Sequence, residues 1–220
     1  MKKTIMLAIP AFALAALSPR IAQAQGTLYL SSLGLTSSGS SPVGSDCWLA
    51  ADFWTGNNAG GYSLNSVQLA LTDASGTPSG FTAMIYNEVS GKGLVPGSSL
   101  GALNGSLDPV AAGTYTYSPS ANLTLSPNTV YFIVLTGGTA VANGAYGWSF
   151  TSTYPPASSG GWHGDEAFLS SSDGLNWEGF TSALAQFGIN GTAVPEPSTL
   201  GLFVLGGFFL AWRHRKAKAS

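Results

Sequence analysis

Positive charge is almost missing from the middle of this sequence: between Gln25 and Val194 the only lysine or arginine is Lys92. The same stretch carries nine acids (Asp46, Asp52, Asp73, Glu88, Asp108, Asp165, Glu166, Asp173 and Glu178). Nine minus one gives it a formal charge of −8, where the whole chain shows −2. One lysine on an acidic surface cannot track phosphates, which excludes nucleic acid and argues against binding of anionic membranes by this part. Cysteine is nearly absent too. Cys47 stands alone, so no disulfide can close within the chain, and it reads as a small apolar side chain beside Trp48 and Leu49. Glutamate, lysine and arginine, the usual residues of helix surfaces, are scarce, which argues against a helical domain.

What fills the space is Gly, Ser, Thr and Asn, interrupted by short apolar runs. "VQLALT" sets Val67, Leu69 and Leu71 on one face. "TVYFIVLTG", from Thr129, is a continuous β-branched and aromatic run, as expected of a strand buried on both faces. "FTAMIYNE", "NLTL" and "YGWSFT" are further short candidates, and "SALAQFG" fits a strand or one short turn. Turn signals separate them: Ser75-Gly76, Ser90-Gly91, Pro96-Gly97, Asn104-Gly105, Gly137-Gly138 and Asn143-Gly144. The pattern predicts an all-β chain, a single β-sandwich of jelly-roll type over residues 25–193. At about 170 residues it is long enough to bury a core without disulfides.

The two ends differ from this middle. Met1–Ala24 has Lys2 and Lys3, an apolar run from Ile5 to Leu17, and Ala22-Gln23-Ala24 at its close. That is the build of a secretory signal peptide, with cleavage expected before Gln25. At the other end, residues 194–220, Pro195 and Pro197 break helix before an apolar stretch, Leu200–Trp212. Those 13 residues would cover only ~20 Å as a helix, short for a hydrocarbon core of about 30 Å but extendable by flanking residues. Arg213, Arg215 and Lys216, with His214 and Lys218, then form the basic stop of a transmembrane helix whose tail stays in the cytoplasm. An extended Val194-Pro195-Glu196-Pro197 at the membrane surface is backbone that a processing enzyme can grip.

This tail resembles the PEP-CTERM sorting signal of Gram-negative bacteria in motif, spacing and terminal position. The resemblance implies that an exosortase-type enzyme recognises Pro195, Glu196 and Pro197 and processes the chain near them. It also implies an inner-membrane-anchored precursor bound for the cell surface or extracellular matrix of a bacterium that makes exopolysaccharide. The middle resembles, more weakly, the choice-anchored families of exported bacterial domains, through Phe53, Gly91, Pro96, Gly97, Leu125, Pro127, Thr129 and Tyr131. That likeness implies a surface-displayed sandwich and carries no catalytic residues.

The sequence offers little chemistry. His163, in "GGWHGDEAF", stands near Asp165 and Glu166, but this is not a metal-ligand spacing, and no Gly-x-Ser-x-Gly elbow supplies a nucleophile. No catalytic residue, metal or cofactor is assigned. "SSDGLNWEG" reads as a hairpin turn at Asp173-Gly174, with Trp177 anchoring the next strand in the core. Calcium held by Asp173, Asn176 and Glu178 is the alternative. Trp162, His163 and Asp165, in a Gly-flanked loop, are the candidate ligand contacts, since a flat aromatic face stacks on a sugar. The expected function is therefore a non-enzymatic surface or matrix protein with weak glycan binding. The alternative is a polysaccharide hydrolase using a carboxylate pair, although no two of the nine acids are singled out by a motif.

Overall fold

The computed structural model describes residues 26–180 and 183–195, and only the backbone of residues 165, 166 and 180. The signal peptide, Glu196, Pro197, the apolar span and the basic Arg213, Arg215 and Lys216 lie outside the described residues.

The chain is almost all strand. In order these are β1 (Thr27–Ser31), β2 (Gly39–Val43), β3 (Trp48–Trp54), β4 (Tyr62–Gly76), β5 (Thr82–Glu88), β6 (Pro96–Asn104), β7 (Gly113–Pro119) and β8 (Thr124–Leu125). There follow β9 (Val130–Thr136), β10 (Gly144–Thr151), β11 (Ala157–Ser158), β12 (His163–Ser171), β13 (Glu178–Phe180), β14 (Leu184–Ala185) and β15 (Phe187–Ala193). Among the described residues the helical content is one 3-10 turn, Val141–Asn143.

These strands form an antiparallel sheet that curls into two facing layers. In the first layer β11, β1, β15, β4 and β7 lie side by side, and β10 continues the β15 edge of β4 while carrying β2 and β14. The second runs β13, β12, β3, β9, β5, β6. The layers are stitched where β6 meets β7 through two residue pairs, Leu103 with Pro119 and Asn104 with Ser118. Successive strands change layer repeatedly: β3 to β4, β4 to β5, β9 to β10. An all-β sandwich built by such crossings matches the expectation from composition and turn spacing.

Alternation decides which side chains enter the core. On β4, Tyr62, Leu64, Val67, Leu69 and Leu71 face inward. Leu64 and Val67 are three apart, and a register shift opposite Asn190 and Gly191 lets both point the same way. Leu49, Ala51 and Phe53 of β3 and Tyr131, Ile133 and Leu135 of β9 meet them from the other layer. β9 is buried along Val130–Leu135, as its unbroken apolar run predicts. Its alternate residues, Val130, Phe132 and Val134, belong to a second, smaller cluster on the outside of the second layer. Burying a ring such as Phe132 there stabilises the fold by ~1.5–3 kcal/mol.

Asp173-Gly174 turns the β12–β13 hairpin as expected, within a connection of residues 172–177 in which Gly174 has φ +72°. Two local expectations are corrected. Pro96-Gly97 opens β6 instead of turning the chain. Trp177 packs on the outer cluster and not in the central core, because the β12–β13 connection folds back over the outside of β3.

Two phenols mark one end of the core. Tyr146 is 1% exposed and donates its hydroxyl to Asp108 at 3.0 Å. Burial first, then that hydrogen bond and the carboxylate's charge, push its pKa up to about 12. Tyr117 is raised further, again chiefly by burial. In each case the folded value lies above the unfolded one of about 10, so the neutral form is the one that folding favours. Stability is therefore whole below pH 10 and falls as pH rises toward 12. A spectrophotometric titration should show these two phenols ionising only as the circular dichroism signal of the sheet is lost, and Tyr146→Phe should shift that loss to higher pH.

Candidate functional site

Two places on this scaffold could carry function, the outer face of the second layer and the exit of the chain after β15. The outer faces of the two layers differ. On the first, alternation exposes polar or small residues such as Thr114, Thr116 and Ser118 of β7, beside Gln68 and Ala70 of β4. On the second, the buried Ala50, Val130, Phe132, Val134, Ala167 and Leu169 are covered by partly buried large side chains: Trp48, Trp54, Met84, Tyr86, Leu94 and Trp177. Leu94 comes from the β5–β6 connection and Trp177 from the β12–β13 connection. The indole N–H groups of Trp54 and Trp177 are covered and have no acceptor in the described structure. What these rings offer outward is carbon surface.

β12 brings the candidate ligand residues to β3, and strand alternation separates them. His163 pairs with Trp54 in register and lies over it, ring centroids 5.1 Å apart and planes 16° from parallel. It is exposed, and its Nδ1 stands 3.4 Å from the Gly161 carbonyl. Trp162, the preceding residue, turns the other way. It is 2% exposed, stacked on Tyr29 at 4.9 Å and on Phe53 at 6.0 Å, with the edge of Tyr62 against it. The expectation of Trp162 as an exposed sugar platform is thus corrected: it is a core residue, and Trp54 takes its place beside His163. The side chain of Asp165 lies outside the described structure.

Between Gly164, opposite Phe53, and Phe168, opposite Ala51, three residues of β12 face the single residue Asp52. This bulge turns the Ala167 N–H onto the Asp52 carboxylate at 2.6 Å, and Asp52 is fully buried beneath the outer cluster. Sequence reasoning found neither Asp52 nor Trp54, since pairing partners distant in sequence leave no local signal.

The Asp173 loop is closed on itself. Oδ1 accepts the backbone N–H groups of Leu175 and Asn176, each at 2.8 Å, and the Ser171 hydroxyl at 2.9 Å. Oδ2 accepts the Asn176 amide at 2.7 Å. These donors, the backbone of Asn176 foremost, hold the carboxyl well below the usual carboxylate range. Its oxygens are engaged by its own turn, and the Asn176 amide nitrogen faces the carboxylate. Among the described residues no three His, Cys, Asp or Glu side chains gather as a metal site would require.

The second place is the exit from β15. This strand is held between β1 and β4, with Ala193 opposite Tyr62. One residue further, the Val194 N–H donates to the Gly61 carbonyl at 3.0 Å. The Asn58 side-chain amide donates to the Val194 carbonyl at 2.9 Å and to the Gly61 carbonyl at 2.6 Å. The loop closes on itself through Gly61 N–H to Asn58 carbonyl, 2.8 Å. Gly60 lies so near the Val194 carbonyl that a Cβ there would collide with it. Pro195, the last described residue, is exposed. Nothing in "GNNAGGY" marks Asn58 as a clamp before its partner on the far side of the chain is known.

Comparison with known families places a signature on that exit. The PEP-CTERM protein-sorting motif matches residues 193–216, so the chain carries the sorting signal expected from Pro195-Glu196-Pro197 and the residues after it. The match begins at the last residue of β15. A chain with this signal is exported through a membrane-passing precursor and handled by an exosortase. Among curated proteins none matches the chain.

Proposed function

We propose that this protein is a non-enzymatic component of the cell surface or extracellular matrix. In this reading the sorting signal delivers it, and the outer face of its second layer holds polysaccharide weakly. The observation that carries the reading is the asymmetry of the two outer faces. One carries polar, small and aliphatic side chains, Leu28 among them, while the other carries Trp48, Trp54, Tyr86 and Trp177 half-buried, with the exposed His163 stacked on Trp54. Aromatic carbon surface of this kind suits the C–H faces of sugars. The formal charge of −8 between Gln25 and Val194 repels acidic polymers and favours a neutral one.

The test is retention of the exported protein on neutral exopolysaccharide from the producing bacterium. Trp54→Ala should weaken retention by roughly 3–10-fold, the worth of one aromatic stack. Moderate salt should leave retention of the unaltered protein nearly unchanged. Release of new reducing ends by the unaltered protein would overturn the non-enzymatic reading in favour of a hydrolase.

A further inference from the structure

The sorting signal and the fold meet without a linker, and this limits where the chain can be processed. Three features converge on Val194. β15 lies inside the sheet with partners on both sides, and Phe187 and Ile189 are buried in the main core. Val194 is then bonded through both its N–H and its carbonyl to the Asn58–Gly61 loop. Gly60 is pressed against that carbonyl, and Pro195 begins the exposed chain. An enzyme that grips substrate as extended backbone needs free N–H and carbonyl groups along it. Upstream of Val194 the strand is paired with β4 from Ala193 back and with β1 from Gly191 back, and freeing it means pulling Phe187 and Ile189 out of the core.

Resting on the exosortase reading, we infer that the fold sets the upstream limit of processing, so that the processed chain retains Val194. Asn58 is the positioning residue that presents the motif's upstream flank extended. Processing breaks one peptide bond at or beyond the Val194–Pro195 junction. The acyl group passes to water or to an amine acceptor, and the new amine, having gained a proton, leaves on the downstream fragment. Holding the flank in place removes part of the ordering cost that the enzyme would otherwise meet at recognition.

The experiment uses the full chain, expressed in a bacterium that carries the processing enzyme, with pulse-chase rates and the intact mass of the product. The unaltered chain should yield a product whose carboxy-terminus is Val194 or a later residue, with added mass if an amine is the acceptor. Asn58→Ala should be processed roughly fivefold more slowly, at a melting temperature close to that of the unaltered protein. A second variant inserts Gly-Ser-Gly-Ser between Val194 and Pro195, which keeps the clamp but detaches the motif from the fold. It should slow processing similarly and add those four residues to the product. A product ending upstream of Val194, or both variants processed at the unaltered rate, would overturn this inference alone. A chain found only unprocessed would overturn the exosortase reading, and the inference with it.

Discussion

Replacing Trp148 by alanine is expected to lower the stability of the sandwich by ~3–5 kcal/mol, the largest effect of any single substitution considered for the fold. Trp148 sits mid-strand in β10, opposite Leu71 on one side and Ser41 on the other, and is completely buried. Its ring meets Phe168 of the opposite layer edge-on, centroids 5.5 Å apart and planes at 90°. Its indole N–H donates to the Gln186 carbonyl at 3.1 Å. Truncation therefore leaves a cavity between the layers and removes one of two donors to the Gln186 carbonyl, which keeps the Ala70 N–H at 3.0 Å, so the cavity dominates the loss. Against a total stability of about 5–15 kcal/mol for a domain, much of the margin goes. Thermal or urea unfolding of the exported domain should show the midpoint falling by roughly 10 °C or more. Gln68→Ala, on the outer face of the first layer, should stay within ~0.5 kcal/mol. Equal losses from the two substitutions would mean that Trp148 does not tie the layers together.

The second large effect concerns delivery. Glu196 is the only charged residue between the last strand and the basic tail, set between two prolines that bar helix on either side of it. A processing site that recognises it has to replace its hydration with hydrogen bonds to the carboxylate, and bonds of that kind are worth ~1.5–3 kcal/mol. Glu196→Gln keeps the shape and removes the charge. It should cut the processed fraction by about tenfold or more, measured as the ratio of full-length to shortened chain by intact mass in membrane and extracellular fractions. Substituting Pro195 and Pro197 together by alanine should also reduce it, by letting the flank leave the extended conformation. Neither change touches the core, so the melting temperature of the domain should hold. Unchanged processing in both variants would remove Pro195-Glu196-Pro197 from the recognition site.

How far the sequence reached can be judged residue by residue. The strands of β4, β5, β9 and β10 were legible because period-2 alternation and β-branched runs are local properties of the chain. The sorting motif was legible for a different reason: an enzyme must read it as linear sequence, so proline, acid, apolar stretch and basic end have to follow one another in order. The turn expected at Asp173-Gly174 was legible and joins the paired β12 and β13, while its length was not, because Asp173 gathers the donors of its own loop. The exposed Trp162 failed because alternation says that neighbours face opposite ways but not which of them faces in. Gly164 helps to settle that choice, since it passes so close to Phe53 that a Cβ would meet that residue's Cα at 2.8 Å.

The sequence by itself therefore determined the class of fold and the address at the carboxy-terminus. Each depends on composition or on residues adjacent in the chain. Only the tertiary structure decided that the aromatic side chains gather on one outer face, that Trp54 and not Trp162 lies beside His163, and that Asn58 grips Val194 across 136 residues of chain. Those outcomes hang on which strands pair and in what register, and pairing is fixed by the burial of the whole sheet at once. No short window of sequence contains that information.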